Sequence, residues 1–218
     1  MLSQARAEAT RLRIIDAAVV LFDERGFSGT NLNLIIRRAG VSAGAFYYHF
    51  RSKDEVAFAI IEQVAQRMAD LRTALVGSPE AGLEKVIEMT FRLSAILDQD
   101  RSYWVAAYLE HTMARHDRQG IHDVSDRLRT LLSDIAGTIR ASELSPALAR
   151  DEAARTMLSL IYGCLAMTDL IPGGLSTRLA ECWRVLLPGI VAPDSLSVFQ
   201  DVLSGTEERY RRECDDGR

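Results

Sequence analysis

The stretch Thr30–Phe50, T-N-L-N-L-I-I-R-R-A-G-V-S-A-G-A-F-Y-Y-H-F, decides the fold of this chain. Leu32, Ile35, Ile36 and Ala39 recur at helical spacing, so the first half reads as a short helix with one inward face. Thr30 is placed to cap it. Ala39 lets a second helix approach closely, and Gly40 supplies a backbone conformation that a bulky residue resists. Val41 plugs the small core between the helices. Ser42 caps the second helix, which turns Ala45, Phe46 and Phe50 inward. That helix starts on small residues, Ala43 and Gly44, so its first turn can enter a major groove. Tyr47, Tyr48 and His49 then carry polar tips toward the phosphates. Contacts to phosphate fix register, and contacts to base edges give specificity. The pattern is that of a helix-turn-helix.

Working outward, nearly every segment keeps a helical period, and no run alternates between apolar and polar residues. The fold class read here is all-α, with about ten helices. A first helix spans about 7–25, with Ile14, Ala18, Leu21 and Phe22 on one face and Gly26 ending it. Ser52 caps a long fourth helix, about 53–75, carrying Val56, Ile60, Val64, Met68 and Leu71. Gly77-Ser78-Pro79, Ser145-Pro146 and Pro172-Gly173-Gly174 break the rest into apolar helices near 81–98, 102–115, 119–142, 148–170 and 176–187. Pro188 and Pro193 bracket the turn before a polar last helix, about 195–212. The expected division is a DNA-binding domain at 1–52 and a second domain at 53–218.

The helices at 148–170 and 176–187 are apolar around most of their circumference. Such helices need burial on more than one face. A second copy of the same chain is the simplest partner, with Leu158, Ile161, Leu165, Leu179, Trp183 and Leu186 as contact candidates.

The formal net charge of −4 over 218 residues argues against a nucleic-acid partner, but its distribution argues for one. Residues 1–55 hold eight Lys/Arg against six Asp/Glu, and the remainder holds 18 against 24. A basic end suits DNA, and an acidic remainder suits another task. No stretch approaches the about 20 apolar residues of a membrane helix, and the first 13 residues lack the apolar centre of a secretory signal. A cytoplasmic protein, not attached to membrane, is expected. Cys164, Cys182 and Cys214 are far apart, and no Cys/His spacing suggests metal. In apolar runs, Cys164 and Cys182 read as small hydrophobes.

Three blocks together resemble the tetracycline-repressor (TetR) family of one-component regulators. They are A-A-x-x-L-F-x-x-x-G-F at 17–27, the helix-turn-helix, and F-R-S-K-D-E-V at 50–56. The resemblance implies an all-helical homodimer that binds double-stranded operator DNA and carries a ligand-binding second domain. It places Ser42, Ala43, Gly44, Tyr47, Tyr48 and His49 on the DNA, with Thr30 and Lys53 as phosphate clamps. Ala43 stands where relatives often carry Lys or Arg, and Leu34 stands where they carry an acid. Arg37 and Arg38 read either as DNA-proximal or as a solvated face. G-G-L-S-T-R-L-A-E-C-W at 173–183 resembles the γ-butyrolactone receptor branch.

A pocket for a small lipophilic effector should be apolar with a few polar handles. Candidates are Met89, Phe91, Ile96, Trp104, Tyr108, Met113, Leu131, Tyr162, Cys164 and Met167, with Gln63, His111 and Thr168 as handles. A butyrolactone, butenolide or furan would suit. The butyrolactone receptors carry a pocket tryptophan in the helix matching 119–142, and this chain has none there. Trp104 is one substitute. Arg127 or Arg129 pairing a carboxylate-bearing ligand is another, and a pseudo-receptor that answers to a different ligand or to a protein partner is a third. No cofactor is expected. Catalysis is not expected either: no H-E-x-x-H, G-x-S-x-G or glycine-rich phosphate loop occurs, and His111 and His116 lack the i,i+4 spacing of one helical face.

Overall fold

The computed structural model describes residues 2–76, 82–113, 123–166 and 174–216. It is all-α, as read. Among the described residues it contains α1 (Leu2–Arg25), α2 (Leu32–Ala39), α3 (Ala43–His49), α4 (Lys53–Val76), α5 (Leu83–Gln99), α6 (Ser102–Met113), α7 (Asp123–Ala136), α8 (Arg150–Ala166), α9 (Leu175–Ile190) and α10 (Leu196–Asp216). Two short 3₁₀ turns, at Ala141–Glu143 and Pro193–Ser195, and one antiparallel bridge between Leu144 and Val191 complete it.

The chain groups into two compact units, one of Met1–Asp70 with Asp100–Leu128, the other of Leu71–Gln99 with Arg129–Arg218. The first part of α4, α6 and the start of α7 fold with the N-terminal helices.

In the first unit α1 buries Ile14, Ile15, Ala18, Leu21 and Phe22, α2 buries Ile35 and Ala39, and α3 buries Phe46, followed by the buried Phe50 at its C-cap. Val56, Ile60 and Val64 of α4 and Val105 and Leu109 of α6 are buried in the same unit. Glu110 is 2% exposed and acts as the cap of α7. Its carboxylate accepts from the backbone N–H of Val124 (2.9 Å) and of Ser125 (3.1 Å), and from the Ser125 hydroxyl. A carboxylate at a helix N-terminus satisfies donors that have no partner within the helix.

In the second unit Trp183 is fully buried, and its Nε1 donates to the Thr90 hydroxyl at 3.0 Å, tying α9 to α5. Phe91 of α5 meets Tyr210 of α10 with ring centroids 6.1 Å apart. Gly82 has φ 122°, and a Cβ there would meet the Glu143 carboxylate at 2.4 Å. That carboxylate also accepts from Leu83 N–H at the start of α5.

Two expected boundaries are corrected. Asn31, not Thr30, caps α2: its side chain accepts from Leu34 N–H at 3.0 Å. Pro188 does not end α9, which runs on to Ile190. In the last turn a proline removes a single hydrogen bond and its fixed φ suits the helix.

Candidate nucleic-acid interface and effector residues

The turn of the helix-turn-helix is held from three sides. Gly40 closes α2 in the left-handed conformation, φ 62° and ψ 37°, with its N–H on the Arg37 carbonyl. Ser42 caps α3 by accepting from Ala45 N–H at 3.1 Å. Arg13, from α1, donates through Nη2 to the carbonyls of Ala39 (2.6 Å) and Gly40 (3.0 Å). Sequence reasoning missed Arg13. Its only signal is a cation on α1, and the acceptors that give it a role lie 26 and 27 residues away.

On α3, Ala43 and Gly44 are exposed, as are Tyr47 (55%) and Tyr48 (78%). Tyr47 is therefore not core. Its ring stands edge-on to the buried Phe46 at 5.6 Å, and Tyr48 stands edge-on to the half-buried His49 at 4.9 Å. The phenol tips face solvent while their bases rest on packed rings. Arg37 and Arg38 are exposed at the end of α2, with Arg38 3.9 Å from Glu24.

The two expected phosphate clamps engage backbone carbonyls of α1 and the α1–α2 connection. Thr30 is 2% exposed, and its hydroxyl donates to the Leu21 (3.1 Å) and Gly26 (2.9 Å) carbonyls. It pins the α1–α2 connection and presents nothing to a phosphate. The Lys53 ammonium donates to the Phe27 (2.7 Å) and Thr30 (2.9 Å) carbonyls and lies 4.1 Å from the centroid of the Phe27 ring. With two of its three donors so engaged, Lys53 fastens the start of α4 to the same connection. Ser52 caps α4 on Glu55 N–H, and the Glu55 carboxylate accepts from Arg51 N–H at 2.7 Å.

The effector candidates fall in both units. Gln63, Trp104, Tyr108, His111 and Arg127 belong to the first unit, and Met89, Phe91, Leu131, Tyr162 and Cys164 to the second. Thr168 and Met167 lie outside the described residues. Tyr108 is exposed, and its hydroxyl accepts from Phe27 N–H at 3.3 Å, which makes it a brace for the α1–α2 connection. His111 and Arg127 are exposed on helix surfaces. Phe91, Leu131 and Met89 are buried in core. The Cys164 and Cys182 sulfurs are 3.4 Å apart, across α8 and α9. Burial, and then the hydrogen bond with Cys182, push the Cys164 thiol up to about 12.

A cavity of about 330 Å³ lies inside the first unit. Ile15, Asp16, Val19 and Val20 of α1, Ile60, Gln63, Val64 and Arg67 of α4, and Asp100, Arg101 and Ser102 at the start of α6 line it. Of the effector candidates it takes in Gln63 alone.

The dimer candidates also separate. Trp183, Leu179 and Ile161 are buried within their own unit. Leu158 and Leu186 are half-buried, and the Leu165 side chain lies outside the described residues. Val185, not singled out in the sequence, is 81% exposed beside Leu186.

Residues 14–60 match the family model "Bacterial regulatory proteins, tetR family". The HTH-type transcriptional regulator BetI of Burkholderia thailandensis is 30% identical over 177 residues, covering 79% of this chain and 88% of that protein. This chain belongs to the TetR family. The A-factor receptor protein of Streptomyces griseus is 25% identical over 234 residues, covering all of this chain and 79% of the receptor. A crystal structure of an ArpA-like γ-butyrolactone receptor superposes with a TM-score of 0.75 at 27% identity, covering 94% of this chain and 99% of that one. CprB of Streptomyces coelicolor, solved with its operator sequence, gives a TM-score of 0.72 at 28% identity, covering 94% and 99%. Among TetR-family regulators, this one thus resembles the butyrolactone receptor branch. It is a transcriptional regulator and not an enzyme. Among the described residues no helix is long and apolar enough to cross a membrane.

Proposed function

We propose that this protein is a cytoplasmic, homodimeric repressor of a palindromic operator, released by a small lipophilic effector of γ-butyrolactone, butenolide or furan type. The observation that carries the reading is the exposed face of α3. Two tyrosines stand out on a short capped helix whose turn is clamped by Arg13 and Gly40. A rigid turn holds the reading helix in one orientation, and the small residues at its start admit it to a major groove. Each protomer would contribute one α3 to one half-site, with Ser42, Ala43, Gly44, Tyr47, Tyr48 and His49 on the duplex. DNA binding is assigned to 1–52, and effector binding and dimerisation to 53–218. The exposed Val185 with the half-buried Leu186 and Leu158 supports a dimer face on α8 and α9. The names of the A-factor receptor and of the ArpA-like structure support the effector class.

A second reading is a pseudo-receptor that answers to another ligand. It is favoured by the lack of any tryptophan in 119–142 and by the exposure of Arg127. A mobility shift on DNA upstream of the protein's own gene, with and without γ-butyrolactone, separates the two. A shift abolished by the lactone is expected. A shift that persists under saturating lactone supports the pseudo-receptor. No retarded band on that DNA or on a panel of palindromic operators would count against operator binding itself.

A further inference from the structure

The cavity between α1, α4 and the start of α6 lies in the unit that holds the helix-turn-helix, and operator release by a lipophilic effector makes no use of it. Its chemistry is one-sided. Arg67 Nη1 is engaged with Asp100 (2.5 Å) and the Ser102 hydroxyl (3.3 Å). Arg101 holds the Asp23 carboxylate through two nitrogens, at 2.8 and 3.2 Å. Both guanidinium groups thus already face carboxylates, and an anion entering the cavity would have to displace one of them. The acceptors are in the opposite condition. The Gln63 Oε1 atom is buried and accepts no hydrogen bond. Asp16 lines the same cavity, is exposed, and makes no ion pair among the described residues. The charged lining balances, Asp16 and Asp100 against Arg67 and Arg101, and with Arg67 and Arg101 engaged by Asp100 and Asp23, Asp16 is the lining carboxylate that faces no ion-pair partner among the described residues. The remaining wall is apolar, supplied by Ile15, Val19, Ile60 and Val64. A volume near 300 Å³ is at the small end of ligand-binding cavities.

We propose that this cavity binds a small organic ammonium ion with an apolar body. The ammonium donates to Gln63 Oε1 and to the Asp16 carboxylate, and the body lies against the valines and isoleucines of α1 and α4. A charge-assisted donor is what an unpaired carboxylate and an unpaired buried carbonyl both take. The site is separate from the lipophilic effector of the reading above and does not depend on it.

The test uses a pair of probes matched in body and opposite in charge, 2-phenylethylamine and 3-phenylpropionate, titrated into the full-length protein without DNA. Backbone and side-chain amide shifts are followed by NMR. The amine should give saturable shifts at Gln63, Val19 and Val64, and the acid none. Asp16→Asn, a surface change that leaves folding intact, should weaken the amine by about tenfold, the worth of one charge-assisted hydrogen bond near solvent. Gln63→Leu should weaken it as well. Absence of saturable shifts with the amine, equal binding of the acid, or wild-type affinity in both variants would each overturn the proposal.

Discussion

At the residue scale, the exposed and buried members of the helix-turn-helix divide the work. Tyr48 is the most exposed aromatic of the chain's described residues. Tyr48→Ala should lower operator affinity by about fivefold to tenfold, the worth of one lost hydrogen bond, and leave the melting temperature unchanged. Fluorescence anisotropy on labelled operator and a thermal melt check the two halves. Lys53 behaves in the reverse sense. Lys53→Met strips a donor from the Phe27 and Thr30 carbonyls, so stability should fall by about 1–2 kcal/mol. Its salt dependence should stay near that of the wild type, because a lost phosphate contact would reduce the slope of log affinity against log salt by about one. A slope reduced by one would return Lys53 to the phosphates. Cys164, buried and with its thiol pushed up to about 12, should be alkylated slowly by iodoacetamide at pH 8, since the thiolate is the reacting form. Peptide mass spectrometry over a time course reads this directly.

At the element scale, short helices live by their ends. α2 has eight residues and α3 seven, too few to persist alone in water. Their caps and the Arg13 clamp supply what length does not. Gly40→Ala forces a side chain into the left-handed region and sets a Cβ 3.0 Å from Arg13 Nη2. A loss of about 1–2 kcal/mol is expected, measured by urea unfolding. Restored stability in Gly40→Ala combined with Arg13→Ala would assign the cost to the clash and not to the backbone. α7 depends in the same way on Glu110. Glu110→Ala leaves the Val124 and Ser125 N–H groups without their buried acceptor and should cost about 2 kcal/mol or more. Faster amide exchange at those two residues would locate the damage.

At the scale of the whole molecule, the reading as a dimeric regulator makes one claim about assembly and one about electrostatics. Val185→Glu places a charge on the exposed part of α9. Sedimentation should then show monomer where the wild type shows dimer, with operator affinity falling as the second half-site is lost. If the variant stays dimeric, the partner face lies elsewhere. Operator binding should weaken steeply with salt, because neutralised phosphates release their counterions.

The helix class, the order of the elements and the helix-turn-helix were legible in the sequence because they rest on local facts. Helical period, a glycine that must turn left-handed and a serine before a helix act over a few residues. The exposure of the two tyrosines was legible too, since the inward period of Phe46 and Phe50 leaves Tyr47 and Tyr48 outside. What tertiary structure alone decided concerns partners distant in the chain. It turned Thr30 inward onto Leu21 and Gly26, gave Lys53 two carbonyls 23 and 26 residues away, and recruited Arg13 to the turn. It also divided one apolar class into core and surface, burying Trp183 and Leu179 and leaving Val185 outside. A sequence shows which side chains can donate, accept or bury. Which acceptor lies within 3 Å, and which face another helix covers, depends on how the helices pack.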